Sequence, residues 1–177
     1  MASTIVTFEL GEREVEVLVK PMTTLQAVLR YQLGMTAVKE GCRQGGCGSC
    51  AVLVDGEPVM SCLVPVEDVA GKRVTTLEAL TPIDGVSQIQ QAFIETDGYQ
   101  CGYCTPGMIV VTTALLERNP HPSRPEIIEA LGGNVCRCTG YEPIIAAVEA
   151  AAGTLAASSW GNGSSGGTGC ASTLATA

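Results

Sequence analysis

Gly41-Cys42-Arg43-Gln44-Gly45-Gly46-Cys47-Gly48-Ser49-Cys50 packs three cysteines and four glycines into one short loop. A loop that wraps a bound group turns tightly, and such turns use positive φ, which glycine adopts without a steric penalty. The same geometry turns backbone N–H groups inward, which lowers the cost of confining negative charge such as thiolate. Working outward, the next cysteine is Cys62, so the spacing is C-x4-C-x2-C-x11-C. Residues 51–54 and 59–63 are apolar runs on either side of Asp55-Gly56, a pair that favours a tight hairpin turn. The sequence therefore predicts Cys50 and Cys62 on paired strands, where a ligand distant in sequence becomes a neighbour in space.

The chain holds nine cysteines, and a dense set of reduced thiols outside a secreted protein points to metal or redox chemistry rather than to disulfides. Besides the first four, Cys101, Cys104, Cys136 and Cys138 form a second set, C-x2-C-x31-C-x-C, and Cys170 stands alone. The three-plus-one spacing of the first set is that of a plant-type [2Fe–2S] site. Zinc usually pairs its ligands as two short C-x2-4-C units, a less natural reading of the first set but an open one for the second. Cys101-Gly102-Tyr103-Cys104 alone also fits a thioredoxin-type redox pair, which would leave Cys136 and Cys138 unexplained. The residues after Cys50 and Cys104 are Ala51 and Thr105, so no c-type haem attachment is present. A Rieske centre needs two histidines, and the chain has one, His121, between two prolines.

Composition removes other classes. The net charge is −8, and the ten Lys and Arg residues form no run, whereas phosphate-backbone binding needs clustered positive charge. No stretch approaches the roughly 18 uninterrupted apolar residues of a spanning helix; residues 108–116 are broken by Thr112 and Thr113. The first residues carry no basic and apolar export signal, and the expected location is cytoplasmic. No G-x-G-x-x-G fingerprint or P-loop occurs, and no paired carboxylates suggest acid–base catalysis. No catalytic residue is expected on this chain.

The pattern along the chain divides it. Val6, Phe8 and Leu10 alternate with polar residues, as do Val15, Val17 and Val19, with Gly11 at the turn. Thr23 or Thr24 caps a helix bearing Leu25, Val28, Leu29 and Leu33, ending near Gly34. Beyond Thr81-Pro82 the period becomes helical. Val86, Ile89, Ala92 and Phe93 share a face; Thr105-Pro106 reads as an N-cap followed by proline at the first helical position. Ser123-Arg124-Pro125-Glu126 and Thr139-Gly140-Tyr141-Glu142 read as capping boxes, the latter ahead of a helix over 144–152. Four helices with short connections pack most simply as a bundle. Cys101 and Cys104 would precede one helix and Cys136 and Cys138 another, at N-termini that favour negative charge. The expected fold class is α+β: a β-rich domain over 1–80, a helical domain over 81–153, and a Gly/Ser/Ala-rich tail over 154–177 that reads as flexible. Cys170 in that tail reads as an incidental thiol and Trp160 as an aromatic without an assigned partner.

Three motifs in register, residues 41–50, Gln-Cys-Gly-Tyr-Cys-Thr-Pro-Gly-Met at 100–108 and Gly-Asn-Val-Cys-Arg-Cys-Thr-Gly-Tyr at 133–141, resemble the small iron–sulfur subunit of the xanthine oxidase-type molybdenum hydroxylases. The resemblance covers residues 3–153 and all eight grouped cysteines. It implies a plant-ferredoxin-like β-grasp domain and a four-helix-bundle domain with pseudo-two-fold symmetry, each holding one [2Fe–2S] cluster. It further implies a large partner subunit carrying a molybdopterin cofactor, expected as the cytosine dinucleotide, and a medium subunit carrying FAD. Electrons would pass singly from the molybdenum site through the helical-domain cluster, then the ferredoxin-like cluster, to FAD or another acceptor. By the same resemblance, Gln100 and Cys138 contact the pterin. A free-standing two-cluster ferredoxin and a zinc-stabilised interaction module remain as alternatives.

Overall fold

A computed structural model describes residues 3–159 of the chain. The expectations for Trp160, Cys170 and the remainder of the tail lie outside the described residues.

Strand β1 (Thr4–Leu10) pairs antiparallel with β2 (Arg13–Val19), setting Val6 opposite Val17 and Phe8 opposite Val15. The alternation places one face of this hairpin inward: Val6, Phe8, Leu10, Val17 and Val19 are buried, while the cross-strand pair Ile5 and Leu18 faces out. The hairpin turns at Gly11, at φ +62°. Thr24 accepts a hydrogen bond from the Ala27 N–H at 3.3 Å and starts a short helix, α1. Its first turn, Leu25–Ala27, passes directly into a π-helical turn, Val28–Gln32. Leu25, Val28 and Leu29 are fully buried against the sheet. Burying one such side chain contributes about 1.5–3 kcal/mol before entropy is counted.

The cysteine loop follows, and then the Asp55-Gly56 hairpin of β3 (Ala51–Val54) and β4 (Glu57–Met60). A 3-10 turn at Val66–Val69 leads to β5 (Arg73–Thr75), which runs parallel to β1 and antiparallel to β3. The sheet order is β2-β1-β5-β3-β4. The strand expected over 59–63 stops at Met60. Cys50 therefore sits just before β3 and Cys62 just after β4, flanking the hairpin rather than riding on its strands.

The second half contains α2 (Leu77–Leu80), α3 (Gln88–Glu95), α4 (Thr105–Arg118), α5 (Arg124–Leu131) and α6 (Glu142–Ser159). Helix α6 runs past the expected end at residue 152. Helix α3 packs on α6, and α4 packs on α5; Phe93, Met108, Ile127, Ile144 and Val148 fill their shared core. Among the expected caps, the Ser123 N–H donates to the Glu126 carboxylate at 2.7 Å. The N-cap of α4 is Cys104, one residue earlier than Thr105. Thr139 does not box with Glu142; its hydroxyl oxygen instead accepts the Tyr141 N–H at 3.1 Å.

Strand β3 joins the two halves. Val52 faces the core under α1, while Ala51 and Leu53 face the helical core, where α4 lies against the strand. This two-sided burial is why the segment reads Ala-Val-Leu-Val with no polar alternation.

Candidate metal centres

The first four cysteines meet at one end of the sheet. The thiols of Cys42 and Cys47 are close enough to shift one another's ionisation, as are those of Cys50 and Cys62. Cys50 and Cys62 are buried, and Cys42 and Cys47 are half-buried. The loop reaches this shape with Arg43 at φ +56°, Gly45 at +78° and Gly48 at +70°. The N–H of Gln44 points at Cys42 Sγ at 3.5 Å. That N–H, followed by the Cys47 thiol, lowers the Cys42 thiol to about 7. Burial, with the Cys50 thiol next, pushes Cys62 up to about 11.

The second four also meet. Cys101 and Cys138 Sγ are 3.6 Å apart and exposed. Cys104 and Cys136 face each other and are buried. Burial pushes the Cys104 thiol up to about 12, and the neighbouring Cys136 thiol adds to the rise. In both sets, then, the thiols come as an inner pair and an outer pair. Among the described residues no three His, Cys, Asp or Glu side chains converge on a single ion.

This donor set fits a [2Fe–2S] cluster. Such a cluster takes two thiolates at each of two irons, and each set offers two pairs of sulfurs and no other ligand type. Buried thiols held this far above neutral pH ionise only against a compensating cation, and metal binding supplies it by displacing the proton.

The two sets are clamped together. The Cys47 carbonyl accepts the Val135 N–H at 2.9 Å. Asn134, 2% exposed, donates from Nδ2 to the Gly48 carbonyl at 3.2 Å. A Cβ on Gly107, in the first turn of α4, would fall 2.4 Å from that same carbonyl oxygen. On the outer side, the Tyr103 hydroxyl, from the second set's loop, donates to the Glu40 carbonyl at 2.6 Å. The Glu40 carboxylate in turn holds Tyr31 at 2.8 Å and Arg43.

Sequence reasoning missed Glu40, Tyr103, Gly107 and Asn134. Gly107 carried a readable signal, because glycine inside a helix asks for a packing reason. Tyr103 and Asn134 lie inside the cysteine motifs at 100–108 and 133–141, but nothing in the spacing gives them a contact; Glu40 precedes the first motif. Gln100 is exposed beside the exposed Cys101 and Cys138. His121 is exposed, in a turn where its N–H donates to Asn119.

Two family models match the chain: a 2Fe-2S iron-sulfur cluster binding domain over residues 3–95 and a [2Fe-2S] binding domain over residues 76–149. The chain is 45% identical over 132 residues to the nicotinate dehydrogenase small FeS subunit of Eubacterium barkeri, covering 75% of this chain and 84% of that one. It is 42% identical over 146 residues to mouse aldehyde oxidase 2, where the match covers 76% of this chain and only 11% of the larger relative. A chain in the crystal structure of quinoline 2-oxidoreductase from Pseudomonas putida 86 superposes with a TM-score of 0.84 at 36% identity, covering 89% of this chain and 98% of that one.

Proposed function

The chain belongs to the iron–sulfur subunits of the xanthine oxidase-type molybdenum hydroxylases, and from that membership we propose that it is the electron wire of such a complex. It takes single electrons from a molybdopterin site on a large subunit and passes them through two [2Fe–2S] clusters to FAD on a medium subunit or to another acceptor. Cys42, Cys47, Cys50 and Cys62 hold one cluster; Cys101, Cys104, Cys136 and Cys138 hold the other. In this reading the chain divides near residue 80 into a β-grasp domain and a four-helix bundle.

The observation that carries the proposal is the pairing of the thiols. Four sulfurs arranged as two pairs suit two bridged irons, and two such sets sit one hydrogen bond apart across Cys47 and Val135. A cluster supplies one-electron transfer; the chain supplies ligation, burial and N–H donors, which set its potential. The exposed edge at Gln100, Cys101 and Cys138 is the entry side, turned toward the pterin through Gln100 and Cys138. The half-buried pair Cys42 and Cys47 lies on the exit side.

Among the described residues no helix is long and apolar enough to cross a membrane, and a cytoplasmic location is part of the proposal. Anaerobic isolation from the source cells tests it. Co-elution with a molybdenum-binding chain and a flavin-binding chain, with both clusters reduced on adding the complex's substrate, is the expected result. Elution as a single chain that keeps both clusters and exchanges electrons by diffusion would instead identify a free-standing ferredoxin.

A further inference from the structure

Residues 136–141 close on themselves around one sulfur. The Cys136 N–H donates to the Tyr141 hydroxyl at 2.9 Å. The Tyr141 N–H donates to Thr139 Oγ1 at 3.1 Å. Thr139 Oγ1 lies 3.1 Å from Cys136 Sγ. The segment holds this shape with Gly140 at φ +68° and Tyr141 at φ +70°, and for a residue with a Cβ that conformation carries a steric cost met by surrounding contacts.

The direction of the last contact follows from the inventory of donors. A threonine hydroxyl has one proton and two lone pairs. The Tyr141 N–H can only donate, so it occupies a lone pair of Thr139 and leaves the proton free. A thiolate sulfur can only accept. With Cys136 ionised as a cluster ligand, the Thr139 hydroxyl is the one donor in that 3.1 Å contact. Backbone N–H groups reach both sets, Gln44 at Cys42 and Cys138 and Thr139 at Cys136, and Cys136 has the Thr139 hydroxyl besides.

Resting on the reading of Cys136 as a cluster ligand, we propose that the Thr139 hydroxyl is a tuning donor that raises the reduction potential of the helical-domain cluster. One-electron reduction adds negative charge to the cluster and its sulfurs. A hydrogen bond from a fixed donor stabilises the reduced form more than the oxidised form. Cys136 is 8% exposed, so little water competes for the sulfur and the effect is not screened away. Tyr141 acts through Thr139: it occupies the lone pair that would otherwise let the hydroxyl rotate.

The test is an anaerobic potentiometric titration of the isolated complex, following the two paramagnetic signals separately, with iron content measured alongside. A Cys47→Ser variant, which removes the ferredoxin-like signal, assigns them. Thr139→Val is expected to lower the midpoint of the helical-domain cluster by about a tenfold change in its oxidised-to-reduced ratio, about 59 mV for a one-electron couple. The ferredoxin-like cluster in the same molecule should not move, and Thr139→Ser should restore the original midpoint. A Thr139→Val protein with full iron and an unmoved midpoint would overturn the proposal. Should that variant lose iron, Thr139→Ala takes its place; loss of iron there too would make Thr139 a purely structural residue and equally overturn it. A wild-type protein without iron would fail the ligand reading instead, and the two failures are distinguished by the metal assay alone.

Discussion

The carbonyl oxygen of Cys47 accepts a hydrogen bond from the N–H of Val135 at 2.9 Å, and Val135 is covalently joined to Cys136. One backbone hydrogen bond thus links a residue of the first cysteine set to the neighbour of a residue of the second. Of the possible substitutions, only proline at 135 removes this bond directly. It persists only while the two loops stay pressed together, and that closeness depends on residues that are not ligands.

Gly107 is the first of these. An alanine Cβ there would meet the Gly48 carbonyl at 2.4 Å, and the obstructing atom is backbone. Gly107→Ala should destabilise the protein by about 1–3 kcal/mol, as over-packing commonly does. It should also slow electron transfer between the clusters. Denaturant titration and flash-induced kinetics read the two effects separately.

Asn134 is the second. Its Nδ2 donates to the Gly48 carbonyl, while its own Oδ1 is buried without a partner. Asn134→Asp keeps the shape and removes the donor, setting an acceptor against a carbonyl. A loss above about 3 kcal/mol is expected, because the group left without a donor at neutral pH is a buried carboxylate. Chemical denaturation at neutral pH measures it, and a stability equal to wild type would show that Asn134 only fills space.

Acid sensitivity should appear at the start of α5. The Ser123 hydroxyl, with the Ser123 N–H next, holds the Glu126 carboxyl below its ordinary value of 4.5. A carboxyl depressed by folding stabilises the native state above its unfolded value, and that contribution is lost as pH falls through the folded value. Wild type should therefore exceed Glu126→Gln in thermal stability at neutral pH, with the gap closing below pH 4.5. A gap that persists or widens in acid would contradict this cap.

Gln100→Ala should leave iron content unchanged, since an amide is not a thiolate ligand and Gln100 is exposed. If Gln100 faces the pterin, the variant complex should retain less molybdenum or reduce its clusters more slowly on adding substrate. Molybdenum content and cluster-reduction rate matching wild type would remove Gln100 from the entry side.

Much of this was legible in the sequence, for physical reasons. The β1–β2 hairpin declares itself because one face is buried and the other wet, so Val6, Phe8 and Leu10 alternate with polar residues. The glycines of residues 41–50 declare the loop because positive φ is required there, as Gly45 and Gly48 show. Strand β5 leaves no signal in the sequence: Arg73–Thr75 is three residues long, too short to show a period, and only its neighbours make it a strand. The joining role of β3 was also hidden. An apolar run announces burial on two faces but does not say that α4 covers one of them. From sequence Thr139 reads as a helix cap, because capping and sulfur contact draw on the same residue type; only the positions of Cys136 and Tyr141 separate the two roles.

Two iron–sulfur clusters, one on each set of four cysteines, underlie everything proposed for this chain. Metal and acid-labile sulfide analysis of the anaerobically purified chain counts them. About four irons and four sulfides per chain are expected, with two distinguishable paramagnetic signals on reduction, and Cys47→Ser should abolish one signal and about half the iron. Stoichiometric zinc without sulfide, or a single signal that Cys47→Ser leaves intact, would show that the two sets do not hold two [2Fe–2S] clusters.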